Sequence, residues 1–246
     1  MSGKIIVLIL SIVSLSFSQD LEQITESIWN RIGGKDTYHA AKQLSFSFVV
    51  EQEGEIRSER HHLWNRQSGD YVFEQIDKEG INIQVYFNIN TRTGLVFKNG
   101  KDVTEEEGIK HIEQAYARYI NDTYWLLVPA KLTDPGVHLK LNTDRSPDFD
   151  GLVLHLSFDN VGLTPGDQYW LYVDKNGSIT EWHYLLESGH SNEYLFEDET
   201  DCGAGLWFST RKVKKNGDSA IVLKNVRFSK EVERARFEPS HVVKDQ

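Results

Sequence analysis

What most constrains this chain is an apolar–polar alternation with a period of two, repeated along its length and broken each time by turn-forming residues. Leu44, Phe46, Phe48 and Val50 alternate with Ser45, Ser47 and Val49, and successive strand side chains point to opposite faces, so one row is directed at a core. Strand signals follow at 57–66, 71–76, 81–89 and 95–98, and again at 137–141, 152–158, 168–173, 178–186, 193–196, 206–213 and 220–228. Between them lie Ser68-Gly69-Asp70, Lys78-Glu79-Gly80, Asn99-Gly100, Asp174-Lys175-Asn176-Gly177 and Lys215-Asn216-Gly217-Asp218. Asparagine-glycine pairs accept the positive φ of tight hairpins. Spacers this short favour antiparallel neighbours, because a parallel pair needs a crossover of roughly a dozen residues.

Two helices interrupt the pattern. Leu21, Ile24, Ile28 and Ile32 share one helical face, and Gly33-Gly34 stops the helix. The second starts at Thr104 with Glu107 three residues on, a capping-box spacing, and its stripe reads Ile109, Ile112, Tyr116 and Tyr119 or Ile120. The segment Tyr124 to Pro129 then carries more apolar surface than a connector needs. The expected fold is mostly β (α+β): a strongly curved antiparallel sheet or half-barrel of about 11 strands, with an N-terminal helix and a second helix packed on its concave side.

Residues 1–18 read as a secretory signal, with Lys4 as its positive region, Ile5 to Leu15 as its apolar region and Ser16-Phe17-Ser18 as a small-x-small cleavage site. Its apolar run is shorter than the ~20 residues a bilayer-spanning helix needs. The mature protein is therefore expected to begin at Gln19, to be exported to the periplasm or medium, and to carry no integral membrane segment. No linker-like composition divides residues 19–246, so one domain, and a monomer, is expected. With a single cysteine, Cys202, no intrachain disulfide forms. Flanked by Gly203 and Gly205, it reads as a dispensable loop residue.

A formal charge of -10, deepened by loss of Lys4, argues against nucleic acid and anionic membrane surfaces as partners. The basic cluster Arg211, Lys212, Lys214, Lys215 reads as a solvated hairpin end. His61 and His62 are adjacent on a strand and so face opposite ways, and no metal-ligand spacing occurs. No metal, cofactor or catalytic residue is assigned. Gly-x-Ser-x-Gly is missing, and Gly33-Gly34-Lys35 lacks the rest of a phosphate-binding loop. Asn121-Asp122-Thr123 and Asn176-Gly177-Ser178 match glycosylation sequons.

Aromatic residues are the more informative signal. Trp64, Trp125, Trp170 and Trp182, with several tyrosines, form either an ordinary core or the wall of a ligand cavity. Arg60, His62 and Trp64 fall on one strand face, where Arg60 reads first as a rim contact through its aliphatic stem and second as a polar anchor inside a cavity.

This order of elements resembles the outer-membrane lipoprotein carrier superfamily, the LolA/LolB-like fold, and within it an uncharacterised secreted bacterial branch. The resemblance is carried by the leader, the helix ending in Gly33-Gly34, the strand Leu44 to Val50, the meander broken by a helix, and the hairpin Tyr169 to Ile179. The stretches Trp29 to Lys35, His62 to Tyr71 and Tyr124 to Val137 are similar to the branch. The resemblance implies an apolar cavity for acyl chains, a helical lid, and a strand arginine that holds the lid closed, for which Arg60 is the candidate. The expected function is a non-enzymatic envelope protein binding a lipophilic small molecule or an acylated protein, through Trp64, Trp125, Leu126, Leu127, Tyr116 and Arg60. The alternatives are a hydrolase or other enzyme assembled from distant residues, and an interaction module docking through Tyr124 to Pro129.

Overall fold

In the computed structural model, the described residues are 20–145, 149–159 and 166–239, so the leader lies outside them. Helix α1 covers residues 20–31, α2 Lys35–Ala40 and α3 Glu105–Leu127. The strands are β1 Gln43–Gln52, β2 Glu55–Asn65, β3 Asp70–Ile76, β4 Asn82–Asn88, β5 Thr93–Lys98, β6 Lys101–Asp102, β7 Val137–Leu141, β8 Gly151–Phe158, β9 Gln168–Asp174, β10 Ile179–Leu185, β11 Ser191–Asp201, β12 Trp207–Lys214 and β13 Ser219–Ser229. They follow the hydrogen-bonded order β6-β5-β4-β3-β2-β1-β13-β12-β11-β10-β9-β8-β7, a 13-stranded antiparallel sheet.

The chain divides into two compact units, Met1–Lys35 with Pro129–Leu195, and Asp36–Val128 with Phe196–Gln246. In the first unit an apolar row crosses four strands in register, Leu141, Leu154, Leu171 and Trp182, and ends at Tyr194 on β11. α1 buries Ile24 and Ile28, and Ile32 just past its end, as the periodicity requires. It ends where the Gly34 N–H reaches the Trp29 carbonyl at 2.7 Å, and Gly33 and Gly34 both take positive φ. The β9–β10 turn is held close to α1: a Cβ on Gly177 would meet the Ser27 carbonyl oxygen at 2.5 Å.

In the second unit three inward rows run across the first strands, one over β1–β4 and two over β1–β5. They are Leu44, Trp64, Tyr71, Phe87, then Phe46, His62, Phe73, Val85, Val96, then Phe48, Arg60, Gln75, Ile83, Lys98. α3 packs on β4, β5 and β12, closing a core of Tyr71, Phe73, Ile83, Val85, Phe87, Val96, Ile112 and Ala115.

Four expectations need correction. The strand count is thirteen, not about 11: all twelve segments with strand signals are strands, and β6, two residues long and too short to show any alternation, is the thirteenth. α2 was not anticipated; its six residues carry no stripe, and Arg66 caps it by donating to the Tyr38 and Ala41 carbonyls at 2.6 and 2.7 Å. Tyr124 to Leu127 is not a separate segment but the last turn of α3, followed by a 3-10 turn over Val128–Ala130. The stripe of α3 is also rotated from the one read in the sequence. Ile109 is 57% exposed, while Gly108, Ile112, Ala115, Asp122 and Leu126 are buried.

Candidate functional site

The rotated stripe brings a carboxylate into the second unit's interior. Asp122 lies on the same helical face as Ile112, Ala115 and Leu126, and it is fully buried. Opposite it, β2 presents Arg60 and His62, two residues apart and therefore on one face. The Arg60 guanidinium grips the carboxylate with both arms, Nε to Oδ2 at 2.7 Å and Nη2 to Oδ1 at 3.1 Å. His62 Nε2 lies 3.1 Å from Oδ2, and its Nδ1 lies 2.8 Å from the Tyr71 hydroxyl. A neutral ring satisfies both contacts, donating from Nε2 to the carboxylate and accepting at Nδ1 from the tyrosine.

Apolar walls enclose this cluster. Arg60 lies over the Phe48 ring at 4.6 Å, and His62 stacks on Phe46 at 4.6 Å and meets the edge of Phe73 at 5.4 Å. Burial lowers the His62 imidazole from its usual range, reinforced by the Arg60 charge against the pull of Asp122. For Asp122, burial alone would raise the carboxyl, but the hydrogen bonds and charges of His62 and Arg60 outweigh it and hold it below the usual range. Tyr71 is pushed well up by burial and by the Asp122 charge. At neutral pH the four groups sum to zero charge.

Of the sequence-predicted site residues, Arg60 is in the cluster, and its reading as a rim contact is corrected: it is 7% exposed. Trp64 packs edge-on against Tyr119 of α3 at 5.2 Å. Tyr116 is half-buried under Arg92, whose guanidinium sits 4.0 Å from the ring centroid. Trp125 is half-buried. Leu126 and Leu127 are core residues, so Tyr124 to Pro129 is not an exposed docking patch. Asp122 escapes the sequence reading because the apolar stripe stops at Tyr119 or Ile120, which leaves the residue in a sequon beyond it. Extending the stripe by two turns, from Tyr119 to Leu126, places a carboxylate among apolar positions.

The enzyme alternative needs a nucleophile bonded to a base. Ser47 Oγ does lie 2.8 Å from His61 Nδ1 across the β1–β2 pair. The nearest carboxylate, Glu59, approaches the same nitrogen at 4.0 Å, whereas a working triad places acid and serine on opposite ring nitrogens. The contact is a cross-strand bond between a buried serine and a half-exposed ring.

A second buried cationic group lies on β12. Lys212 is 1% exposed, donates to the Ser209 carbonyl and approaches the Phe196 ring at 4.8 Å. This corrects the reading of Arg211 to Lys215 as a solvated end. Alternation turns Lys212 inward, while Arg211 pairs with Glu51 at 3.0 Å. Cys202 is likewise buried, at 1% exposure, rather than a surface residue. Its loop is pinned by Cys202 N–H to the Leu206 carbonyl at 2.8 Å and Phe228 N–H to the Cys202 carbonyl at 2.6 Å. Burial pushes its thiol up to about 11. Native protein at pH 8 is therefore expected to resist iodoacetamide, with rapid alkylation only in denaturant. Mass spectrometry reads the outcome, and fast labelling of the native chain would mean a reactive thiol.

Among the described residues no helix is long and apolar enough to cross a membrane. No protein-family model matches the chain, and no curated protein does. Among solved structures, the crystal structure of MucB aligns over 89% of this chain and 62% of its own, at 11% identity and a TM-score of 0.27. The Pseudomonas aeruginosa MucA/MucB complex aligns over 87% and 60%, at 10% identity and 0.23. A structure of PNGF-II aligns over 80% and 30%, at 11% identity and 0.21. The chain spans less than two thirds of each of these proteins, and likenesses this distant carry no argument about its fold or function.

Proposed function

We propose that this chain is a non-enzymatic exported protein that binds a lipophilic group, a lipid or the acyl chain of an acylated protein, between α3 and the aromatic face of β2–β5. The observation that supports this reading is the Arg60–Asp122–His62 clasp. Burying Ile112, Leu126 and Leu127 already contributes about 1.5–3 kcal/mol each to docking α3. A buried ion pair adds little net stability beyond well-packed apolar residues of similar size. Its use is discrimination: it holds one closed arrangement of the helix and disfavours intermediate ones. That suits a helix that must come away from aromatic rings and return. The lipoprotein carrier resemblance points the same way, since it implies a strand arginine securing a helical lid.

Thermal unfolding of the mature chain tests this with palmitoylated peptide and with dispersed diacyl lipid. A ligand that binds the folded state alone stabilises it by about 2.7 kcal/mol at one hundred times its dissociation constant. The melting temperature is expected to rise with acylated peptide but not with the same peptide lacking the acyl chain, and Trp125→Ala is expected to reduce the shift more than it lowers the baseline. If neither ligand produces a shift, the reading fails.

A further inference from the structure

We propose that His62 makes the α3 clasp sensitive to acid, so that α3 is closed at neutral pH and released as the imidazole takes up a proton. This rests on the reading of α3 as a closing helix and adds its regulation.

The geometry carries the inference. His62 is 3% exposed, and both its nitrogens are committed, Nε2 to Asp122 and Nδ1 to the Tyr71 hydroxyl. The charged and titratable groups around it are Arg60 and His61 on its own strand, Tyr71 on β3, and Asp122 on α3. Tyr119 of α3 faces Tyr71, ring to ring at 5.0 Å. Only Asp122 is an anion, and the Arg60 guanidinium already neutralises it. A second cation therefore leaves the closed cluster with net positive charge in an apolar enclosure.

A proton arriving at Nδ1 also points a donor at the Tyr71 oxygen. The tyrosine must then turn its own hydrogen away from the acceptor it was using. Both penalties disappear once α3 withdraws, because water then reaches the ring. Burial lowers the imidazole from 6.5 in the closed form, so the unfolded or opened state binds the extra proton. The closed form's advantage is complete above pH 6.5 and is lost as pH falls through the lowered value. Opening therefore becomes easier with acid, up to about tenfold per unit below 6.5.

Amide hydrogen exchange on the mature chain, expressed as protection factors, tests this without any ligand. Between pH 7 and pH 5, protection of amides from Tyr116 to Leu127 is expected to fall several-fold, by no more than about thirtyfold, while the β1 and β13 amides hold. His62→Gln keeps a donor near the Nε2 position and cannot titrate, so its α3 protection is expected to stay flat. Asp122→Asn adds one net positive charge at any pH and is expected to loosen α3 already at pH 7. Unchanged wild-type protection, an equal fall in His62→Gln, equal loss from β1 and β13, or an Asp122→Asn helix as closed as wild type at pH 7 would each overturn the switch. Because no lipid is present, failure here is separate from failure of the ligand reading, which the melting shift alone decides.

Discussion

Replacing Asp122 by alanine lowers the unfolding free energy by about 3–5 kcal/mol, the range for removing one member of a buried ion pair. The loss exceeds that of the missing attraction, because Arg60 at 7% exposure keeps its charge with only Ser58 Oγ, 3.2 Å away, left to accept from it. His62 Nε2 loses its acceptor as well. Chemical denaturation measures the effect, and a second substitution decides its cause. Arg60→Met on the Asp122→Ala background removes the stranded cation and leaves apolar contacts to Phe48, so it is expected to recover more than half of the loss. Additive losses in the double variant would mean that the two residues act independently and that no clasp exists.

Lys212→Met stabilises the protein at neutral pH by a few kcal/mol, on the order of 3–5. Burial drives the Lys212 amine from 10.5 down to about 7, against a small opposing pull from Cys202. Because the folded value is depressed, the unfolded chain holds the extra proton between those limits. Lys212's contribution is then complete above pH 10.5 and is lost as pH falls towards about 7. Wild-type stability should accordingly climb relative to Lys212→Met by about 1.4 kcal/mol per pH unit from pH 7 to 9. Denaturation midpoints at three pH values settle it. A difference between the two proteins that does not change with pH would mean the amine is not buried as a neutral group.

The mostly β class was legible because a period of two is local: each of the twelve strand segments read from residue spacing is a strand, and Asn-Gly turns mark hairpin ends. The first helix and its glycine stop were legible for the same reason, as was the shared face of Arg60, His62 and Trp64. Strand alternation also separates His61 from His62, sending one outward to Ser47 and the other inward to Asp122. What spacing does not contain is the partner of each buried polar group. Asp122 and Arg60 stand 62 positions apart, and their meeting depends on the rotation of α3, which packing against β4 and β5 decides. One residue of rotation turned Ile109 out and Asp122 in. Likewise Cys202 has polar, loop-like neighbours in sequence and Lys212 falls in a basic run at a strand end, yet the pinned loop and strand pairing bury both. Local periodicity thus sets which elements form, whereas the desolvation of a charge, and so its use, is settled only when distant elements close over it.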